Sequence, residues 1–471
     1  SKYRSDGAAE RIAFLVSQIE PEDVENLWQW LESYGNAWRE ALDFGDVVGE
    51  ITPVNRDAFS TEAIIRALNE INGHIHRRKG KVPVEQAMRD IAYRGLILTS
   101  DHAASAGADA FPDIELSREI ALRPIGEHKL RHHQSMAEQL SAGNALMIAP
   151  TGSGKTEAAM LWAAMQHQQR EVSRLFYTLP YQASMNAMQD RLIHKFYATD
   201  SDHNQQVTIQ HSRATLKFYR DRMNADSGIN TREASGYAKA QKNITGLNYF
   251  PVQVFSPYQM LKATYRLRGY EPLLVDYAGA LFIFDEIHAY EPERLALIIA
   301  TMEWLYRQFD ARFLVMTATL PPMVQNALCT ALDISEAHIV TADNETFKQS
   351  QRHNVVLHDG DLLAQLDVIV ASYEAGQSVL VVCNQVAHAQ AAYQQLQQAI
   401  PAADLRMLHG RFNGKDRSEK ERWLLERVGV RVGERKPTVF VATQVVEVSL
   451  DVDFDILHTD PAPIEALLQR F

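Results

Sequence analysis

A glycine-rich segment at residues 149–156 has the residue types and spacing of a loop that binds nucleotide phosphates. It reads Ala-Pro-Thr-Gly-Ser-Gly-Lys-Thr, follows an apolar run at 145–149 and precedes a predicted helix at 157–166. Glycines let backbone N–H groups converge on phosphate oxygens, Lys155 would neutralise the β- and γ-phosphates, and the Thr156 hydroxyl would bind Mg²⁺. The predicted ATP-binding residues here are Thr151, Gly152, Ser153, Gly154, Lys155 and Thr156.

Two carboxylates, Asp285 and Glu286, directly follow the apolar run 281–284. At the carboxyl end of a buried strand, Asp285 could hold Mg²⁺ through water, and Glu286 could act as the base that polarises an attacking water. An Asp-Glu pair in this position could also be a solvated strand end. Together with Lys155, however, it predicts a site for ATP hydrolysis.

These two segments, the second reading Asp-Glu-Ile-His, resemble the ATP-binding motifs of superfamily 2 helicases, and the resemblance extends from about residue 120 to the end. It implies that Gln134 recognises adenine and that Asp451, in the second lobe, also contacts the nucleotide. Thr317 and Thr319 match the motif that links hydrolysis to lobe movement, although such threonines can also cap a helix. The resemblance gives His288 the same coupling role.

Other segments resemble the helicase motifs that contact a nucleic-acid strand, because they offer short hydroxyl side chains and exposed backbone groups that suit phosphates. The residues involved are Pro180, Tyr181, Gln182, Ser256, Pro257, His409, Gly410, Arg411 and Thr443. Arg470 begins the last motif, which in the family continues with further arginines that reach the γ-phosphate and stabilise the transition state. Because the chain ends at Phe471, we expect a truncated motif and inefficient ATP turnover.

The spacing of apolar residues predicts three segments. Residues 1–107 are predicted to be helical, including one amphipathic helix at 83–106. Short apolar runs then alternate with helical stretches, which indicates an α/β fold with two lobes built on parallel sheets. The helicase resemblance implies that these are RecA-like lobes at 108–342 and 343–471, the second incomplete. The predicted strands are 145–149, 174–179, 281–284, 313–317, 379–383, 405–408, 439–442 and 455–458.

Residues 95–105 resemble the closing motif of HD phosphohydrolase domains, and an HD domain before a helicase is typical of the helicase-nuclease of type I CRISPR systems. The resemblance implies that Asp101 is a ligand of a transition metal such as Mn, Co, Ni or Fe. HD sites need several histidines, whereas residues 1–107 hold His74, His76 and His102. We therefore expect a partial HD-type domain without nuclease activity in this chain, and a surface position for the His132-His133 pair.

Composition places few limits on the partner. The net charge of −12 does not favour binding to nucleic acid. The segment 190–250, however, carries nine Lys/Arg, six Asp/Glu and several aromatic residues. It could be a strand-contacting insertion or, equally well, a solvated loop and helix. Two cysteines and no long apolar run predict a cytoplasmic protein without a membrane span.

The helicase resemblance implies a monomer, an HD nuclease in the full-length protein, 3′-to-5′ movement on single-stranded DNA, and recruitment by the Cascade surveillance complex. Two alternatives stay open. One is an RNA helicase of the Asp-Glu-x-His type, and the other is a non-catalytic scaffold in which ATP only sets lobe closure.

Overall fold

A computed structural model describes residues 14, 17–18, 20–41, 60, 62–63, 66–67, 84–105, 111–199, 204–211, 214–225, 230–246, 248–350, 354–429, 436–446, 452–463, 466–467 and 470. Contacts divide the chain into two compact units, Ser1–Asp90 and Ile91–Phe471. Helix α1 (Pro21–Ala41) belongs to the first unit and buries Trp28. Helix α2 spans Val84–Ser105 and confirms the predicted helix at 83–106.

Seven strands in the described part of the second unit form a parallel sheet in the order β3-β4-β2-β5-β6-β1-β7. Their central members are short and fully buried, as expected for strands covered on both faces. The bounds are β1 (Ala145–Ile148), β2 (Leu175–Thr178), β3 (Val207–Gln210), β4 (Val252–Phe255), β5 (Leu281–Asp285), β6 (Arg312–Thr317) and β7 (Ile339–Thr341).

Alternate residues of the central strands supply two hydrophobic cores, one on each face of the sheet. In β5, Leu281 and Ile283 join the first core, whereas Phe282 and Phe284 join the second. The first face carries α3 (Arg118–Leu122), α4 (His132–Glu138), α5 (Lys155–Gln169), α6 (Gln182–Arg191), α7 (Ala214–Ala225) and α8 (Thr231–Gly246). The second carries α9 (Pro257–Thr264), α10 (Tyr270–Tyr277), α11 (Pro292–Phe309) and α12 (Pro322–Ala331).

The later part of helix α2 packs closely against α10. Arg94 pairs with Glu271 at 3.2 Å, and Ile91 contacts the second core. Gly95 permits the approach, because a Cβ at this position would lie 2.6 Å from both the Glu271 carbonyl oxygen and a methyl carbon of Val275. Residues 91–105 therefore pack against the helices that cover the first sheet.

A second parallel sheet has the order β11-β8-β10-β9 among the described residues. Its strands are β8 (Ser378–Val382), β9 (Leu405–Leu408), β10 (Thr438–Ala442) and β11 (Ile456–Thr459). Helices α13 (Asn344–Gln349) and α14 (Leu366–Glu374) precede it, and α15 (Val386–Leu396) and α16 (Gly414–Val428) lie between its strands. The prediction of an α/β fold with two parallel sheets is confirmed, and all eight predicted strands are present within one to two residues.

Three strands were not predicted. Strand β3 lies in the segment 190–250, β4 directly follows that segment, and β7 follows α12. The same segment buries Tyr197, Phe218 and Phe250, so these rings are not available to stack on nucleic-acid bases. Phe347, beyond the expected lobe boundary at 342, packs against the first core, and the division into 1–107, 108–342 and 343–471 stays a prediction.

Within the described residues, no helix combines the length and the apolar character that crossing a membrane requires. Cys329 and Cys383 are both free thiols.

Candidate nucleotide-binding site

The predicted phosphate-binding loop connects β1 to α5 and is anchored from both sides. Ala149 donates its backbone N–H to Thr317 O of the neighbouring strand at 3.1 Å, and Ser153 N donates to Pro150 O at 3.2 Å. Gly154 immediately precedes α5 with φ of 87°, a left-handed conformation that favours glycine. The loop therefore ends at a helix N-terminus, which attracts phosphate through its free N–H groups.

Gln134, the predicted adenine contact, is buried beside the loop. Its side-chain nitrogen donates to Gly154 O at 3.2 Å, and its oxygen accepts from Arg131 N at 2.9 Å. A Cβ at Gly154 would overlap that side-chain nitrogen, so this glycine is needed for the contact. The geometry brings Gln134 to the nucleotide-binding loop, whereas its contact with adenine stays a prediction.

His133 is completely buried, and our expectation of a surface position is wrong for it. Its Nε2 lies 3.1 Å from Ser153 O, so the ring packs beneath the phosphate-binding loop. Burial lowers the pKa of His133, which favours the neutral imidazole. His132, on the opposite side, is exposed as expected.

Lys155 and Glu286 meet although they are 131 residues apart. Lys155 Nζ lies 3.3 Å from Glu286 Oε1, and the lysine is buried. Glu286 has φ of 55°, which is unusual for a residue with a side chain and turns the chain sharply after β5. The predicted cation and the predicted base thus share one site at the carboxyl edge of the sheet.

Asp285 is buried at the end of β5, and one of its oxygens is held firmly. The Tyr177 hydroxyl donates to Asp285 Oδ2 at 3.0 Å, whereas Oδ1 has no hydrogen-bond partner in the described part of the chain. Burial raises the pKa of Asp285 to about 6, against the opposing effect of the Lys155 charge. A buried carboxylate oxygen without a partner, together with the buried Thr156 hydroxyl, fits a Mg²⁺ site.

His288 connects Glu286, the predicted base, to strand β6. Its Nδ1 lies 2.6 Å from Thr317 Oγ1, and its Nε2 lies 3.3 Å from Glu286 Oε2. Thr317 Oγ1 also donates to Thr319 O at 2.7 Å, and α12 begins only at Pro322 with Pro321 before it, so Thr317 does not cap that helix. The three predicted coupling residues therefore form one connected group beside the site.

Two functional candidates were not predicted. Tyr177, within β2, contacts Asp285. Glu157, in the first turn of α5, forms an ion pair with Arg191 at the end of α6, and Glu157 is buried. The sequence offered a weak signal for both, because a tyrosine within a buried strand and a glutamate after Thr156 each need a polar partner.

The predicted strand-contacting residues lie at the carboxyl ends of four strands: β2 and β4 in the first sheet, β9 and β10 in the second. Their accessibility differs. Gln182, Gly410 and Arg411 are exposed, and Pro180 and Tyr181 are partly exposed. Four others are buried and could contact a nucleic-acid strand through little more than their backbone groups: Ser256, Pro257, His409 and Thr443.

Arg470 is bonded within the second sheet. It donates to Asn384 Oδ1 at 2.9 Å, to Asp460 O at 3.1 Å and to the Thr459 hydroxyl, and it is buried. These contacts explain a structural role, and a contact of Arg470 with nucleotide stays a prediction. Asp451 lies outside the described residues.

Asp101 lies on the exposed side of α2, with His102 beside it also exposed. Across the described ranges, no three His, Cys, Asp or Glu side chains come close enough to share a metal ion. His74 and His76 lie outside those ranges. The predicted HD metal site therefore does not fit the residues that can be described, and a metal-ligating role for Asp101 stays a prediction.

Comparison with known proteins agrees with this geometry. Residues 131–327 match the family model described as DEAD/DEAH box helicase, and residues 375–471 match that of CRISPR-associated nuclease/helicase Cas3, C-terminal. The chain is therefore similar to Cas3 nuclease/helicases over both of these segments. A Cas3 from Methanothermobacter thermautotrophicus is 27% identical and covers 96% of the chain, which spans 53% of that relative. The Escherichia coli Cas3 is 27% identical over 70% of the chain and 40% of its own length. The chain thus spans about half the length of the Cas3 relatives it matches.

Solved structures show the same fold. T. fusca Cas3 with AMPPNP aligns with a TM-score of 0.59 at 23% identity, over 88% of this chain and 48% of that one. A chain of a CRISPR RNA-guided surveillance complex in its pre-nicking state aligns with a TM-score of 0.50 at 25% identity, over 74% of this chain and 42% of that one. The two parallel sheets therefore resemble the lobes of these Cas3 structures in fold.

Proposed function

We propose that the chain is the ATP-hydrolysing motor of a Cas3 helicase that moves along single-stranded DNA. The observation that carries this proposal is the meeting of Lys155 with Glu286 beside Asp285, at the edge where a phosphate-binding loop ends. A cation, a base and a metal-binding carboxylate at one edge are what phosphoryl transfer to water requires.

Lys155 and Glu286 have different roles in the proposed reaction. Phosphate oxygens would compete with Glu286 for Lys155, because the lysine charge is buried and needs an anionic partner. Glu286, released from the ion pair, accepts a proton from the attacking water as oxygen bonds to the γ-phosphorus. The bond to the β-phosphate oxygen then breaks and leaves ADP and phosphate.

Thr156 and the free Oδ1 of Asp285 would hold Mg²⁺, which neutralises charge on the β- and γ-phosphates when bound. Lys155 adds a second positive charge from the loop side. Gln134 and His133 maintain the loop from below through their bonds to Gly154 O and Ser153 O. The loop backbone is thus preorganised for the charge that develops in the reaction.

The strand-contacting residues favour single-stranded nucleic acid bound through its phosphates. Their exposed members are few, and Arg411 is the one arginine or lysine in the whole set. The affinity for single-stranded DNA should therefore decrease only slightly as the salt concentration rises, by an amount on the order of one released counterion. It should not depend on the base sequence. The family resemblance supports 3′-to-5′ movement, recruitment by a Cascade-type complex, a cytoplasmic monomer, and coupling to DNA degradation in the complete protein.

ATPase rates of the full-length protein with single-stranded DNA, single-stranded RNA and no nucleic acid test the proposal. We expect the highest rate with DNA. Stronger stimulation by RNA would favour the RNA helicase, and nucleotide binding without turnover would favour the scaffold. Two DNA sequences of equal length, titrated over a salt series, test the phosphate contacts, and a strong preference for one sequence would contradict them.

A further inference from the structure

We propose that Tyr177 is a positioning residue for the metal-binding carboxylate of Asp285. The inference rests on the proposed ATP hydrolysis, because it assigns a role to a side chain within the same site. Tyr177 lies in β2, directly beside β5, with its Cα paired to that of Ile283.

The Tyr177 hydroxyl is bonded to the carboxylate that would hold Mg²⁺. It donates to Asp285 Oδ2 at 3.0 Å. Asp285 is the last residue of β5, whereas Thr156, the other predicted Mg²⁺ ligand, lies in the first turn of α5. The phenol thus fixes the carboxylate side of the site.

This contact decides which carboxylate oxygen faces the metal. Oδ2 is engaged by Tyr177, whereas Oδ1 has no hydrogen-bond partner within the described ranges. A carboxylate held at one oxygen loses rotational freedom, so the other oxygen is presented in one orientation. Mg²⁺ demands near-ideal ligand geometry, and a preoriented ligand should therefore strengthen its binding.

Packing alone does not explain why residue 177 is a tyrosine. The side chain is completely buried in the first hydrophobic core, where phenylalanine would pack equally well without a polar group to satisfy. A buried hydroxyl costs stability unless it is bonded, and the partner here is a predicted catalytic carboxylate.

The chain contains a matched control. Tyr277 is also completely buried, in the second core, but among the described residues its hydroxyl has no hydrogen-bond partner. The variants Y177F and Y277F therefore remove the same atom from two buried tyrosines. Only the first removes a contact with Asp285.

The experiment measures Mg²⁺-dependent ADP binding and ATP turnover of the full-length protein across a Mg²⁺ series. We expect Y177F to raise the half-saturating Mg²⁺ concentration by about three- to tenfold, as for the loss of one hydrogen bond to a charged group, with turnover at saturating Mg²⁺ within about twofold of the parent. Y277F should leave the Mg²⁺ dependence unchanged. An unchanged half-saturation in Y177F, or an equal shift in both variants, would overturn the inference.

A double variant separates positioning from general damage. In D285N the carboxylate is absent, so adding Y177F should change the Mg²⁺ dependence no further, whereas an additional loss would show that Tyr177 acts by another route. A parent protein that binds Mg²⁺ and ADP but does not hydrolyse ATP would contradict the proposed function, and the binding series would still decide the role of Tyr177.

Discussion

His288 Nδ1 lies 2.6 Å from Thr317 Oγ1, a contact that joins the segment after β5 to the end of β6. The opposite ring nitrogen lies 3.3 Å from Glu286 Oε2. Because the Thr317 hydroxyl donates its one hydrogen to Thr319 O, Nδ1 of His288 must carry the hydrogen of the contact. A change at Glu286 during hydrolysis can thus reach the segment after β6 through a single imidazole.

Replacing Thr317 with valine should separate hydrolysis from movement. Valine keeps the shape but cannot bond to His288 or to Thr319. We expect DNA translocation by the full-length protein to fall roughly fivefold or more while ATP turnover changes less. T319V is the comparison variant, because Thr319 contributes backbone groups to these bonds and should show a smaller loss. Equal effects of the two variants on translocation would contradict the assignment.

Replacing Lys155 with alanine should weaken nucleotide binding by at least about tenfold, since a buried charged hydrogen-bond donor is lost. Binding of a fluorescent ADP measures this directly in the present chain. K217A is the matched control, because Lys217 is also poorly exposed and ion-paired, with Asp190 and Asp221, but lies in α7. That variant should bind nucleotide normally, and an undiminished affinity in K155A would remove Lys155 from the site.

Replacing Glu286 with glutamine should preserve nucleotide binding and stop turnover. The amide retains the size of the side chain but cannot accept the proton of the attacking water, so we expect kcat to fall about 10²- to 10⁴-fold. Affinity and turnover are measured separately in the full-length protein. A parallel loss of both would point instead to damage of the Lys155 or Mg²⁺ contacts.

Asp276 should make folding stability depend on pH below neutrality. Burial raises its pKa from 3.8 to about 6, although Asn248 donates to it at 2.6 Å and Arg174 lies 4.0 Å away. A raised pKa in the folded state stabilises the protein at low pH, and this contribution is lost as pH rises from about 4 through about 6. A pKa raised from 3.8 to about 6 corresponds to roughly 3 kcal/mol of folding free energy.

D276N should remove this dependence, because the amide does not ionise. The measurement is the change in thermal midpoint between pH 4.5 and pH 7 for the parent and the variant. The comparison uses the change in thermal midpoint with pH, not the midpoint itself, because the variant also loses stability when Arg174 no longer has its carboxylate partner. Identical slopes would show that Asp276 does not titrate in this range.

Local patterns in the sequence determined the strands, the phosphate-binding loop and the roles expected of Lys155, Asp285 and Glu286. They did so because a buried parallel strand requires a short apolar run, and a phosphate-binding loop requires glycines before a helix. Strands β3 and β4 escaped prediction, since their polar residues Thr208 and Gln253 interrupt the apolar pattern and are buried by tertiary contacts.

Only the tertiary structure decided which distant side chains meet. Tyr177 precedes Asp285 by 108 residues. Their contact arises because β2 and β5 are neighbours in the sheet, although strands β3 and β4 and helices α6 to α10 lie between them in the chain. His133 reversed our expectation for the same reason, since Arg131 and His132 just before it are exposed while its own ring packs under Ser153. Sequence spacing specifies each element, whereas the order of strands in the sheet determines which residues form the site.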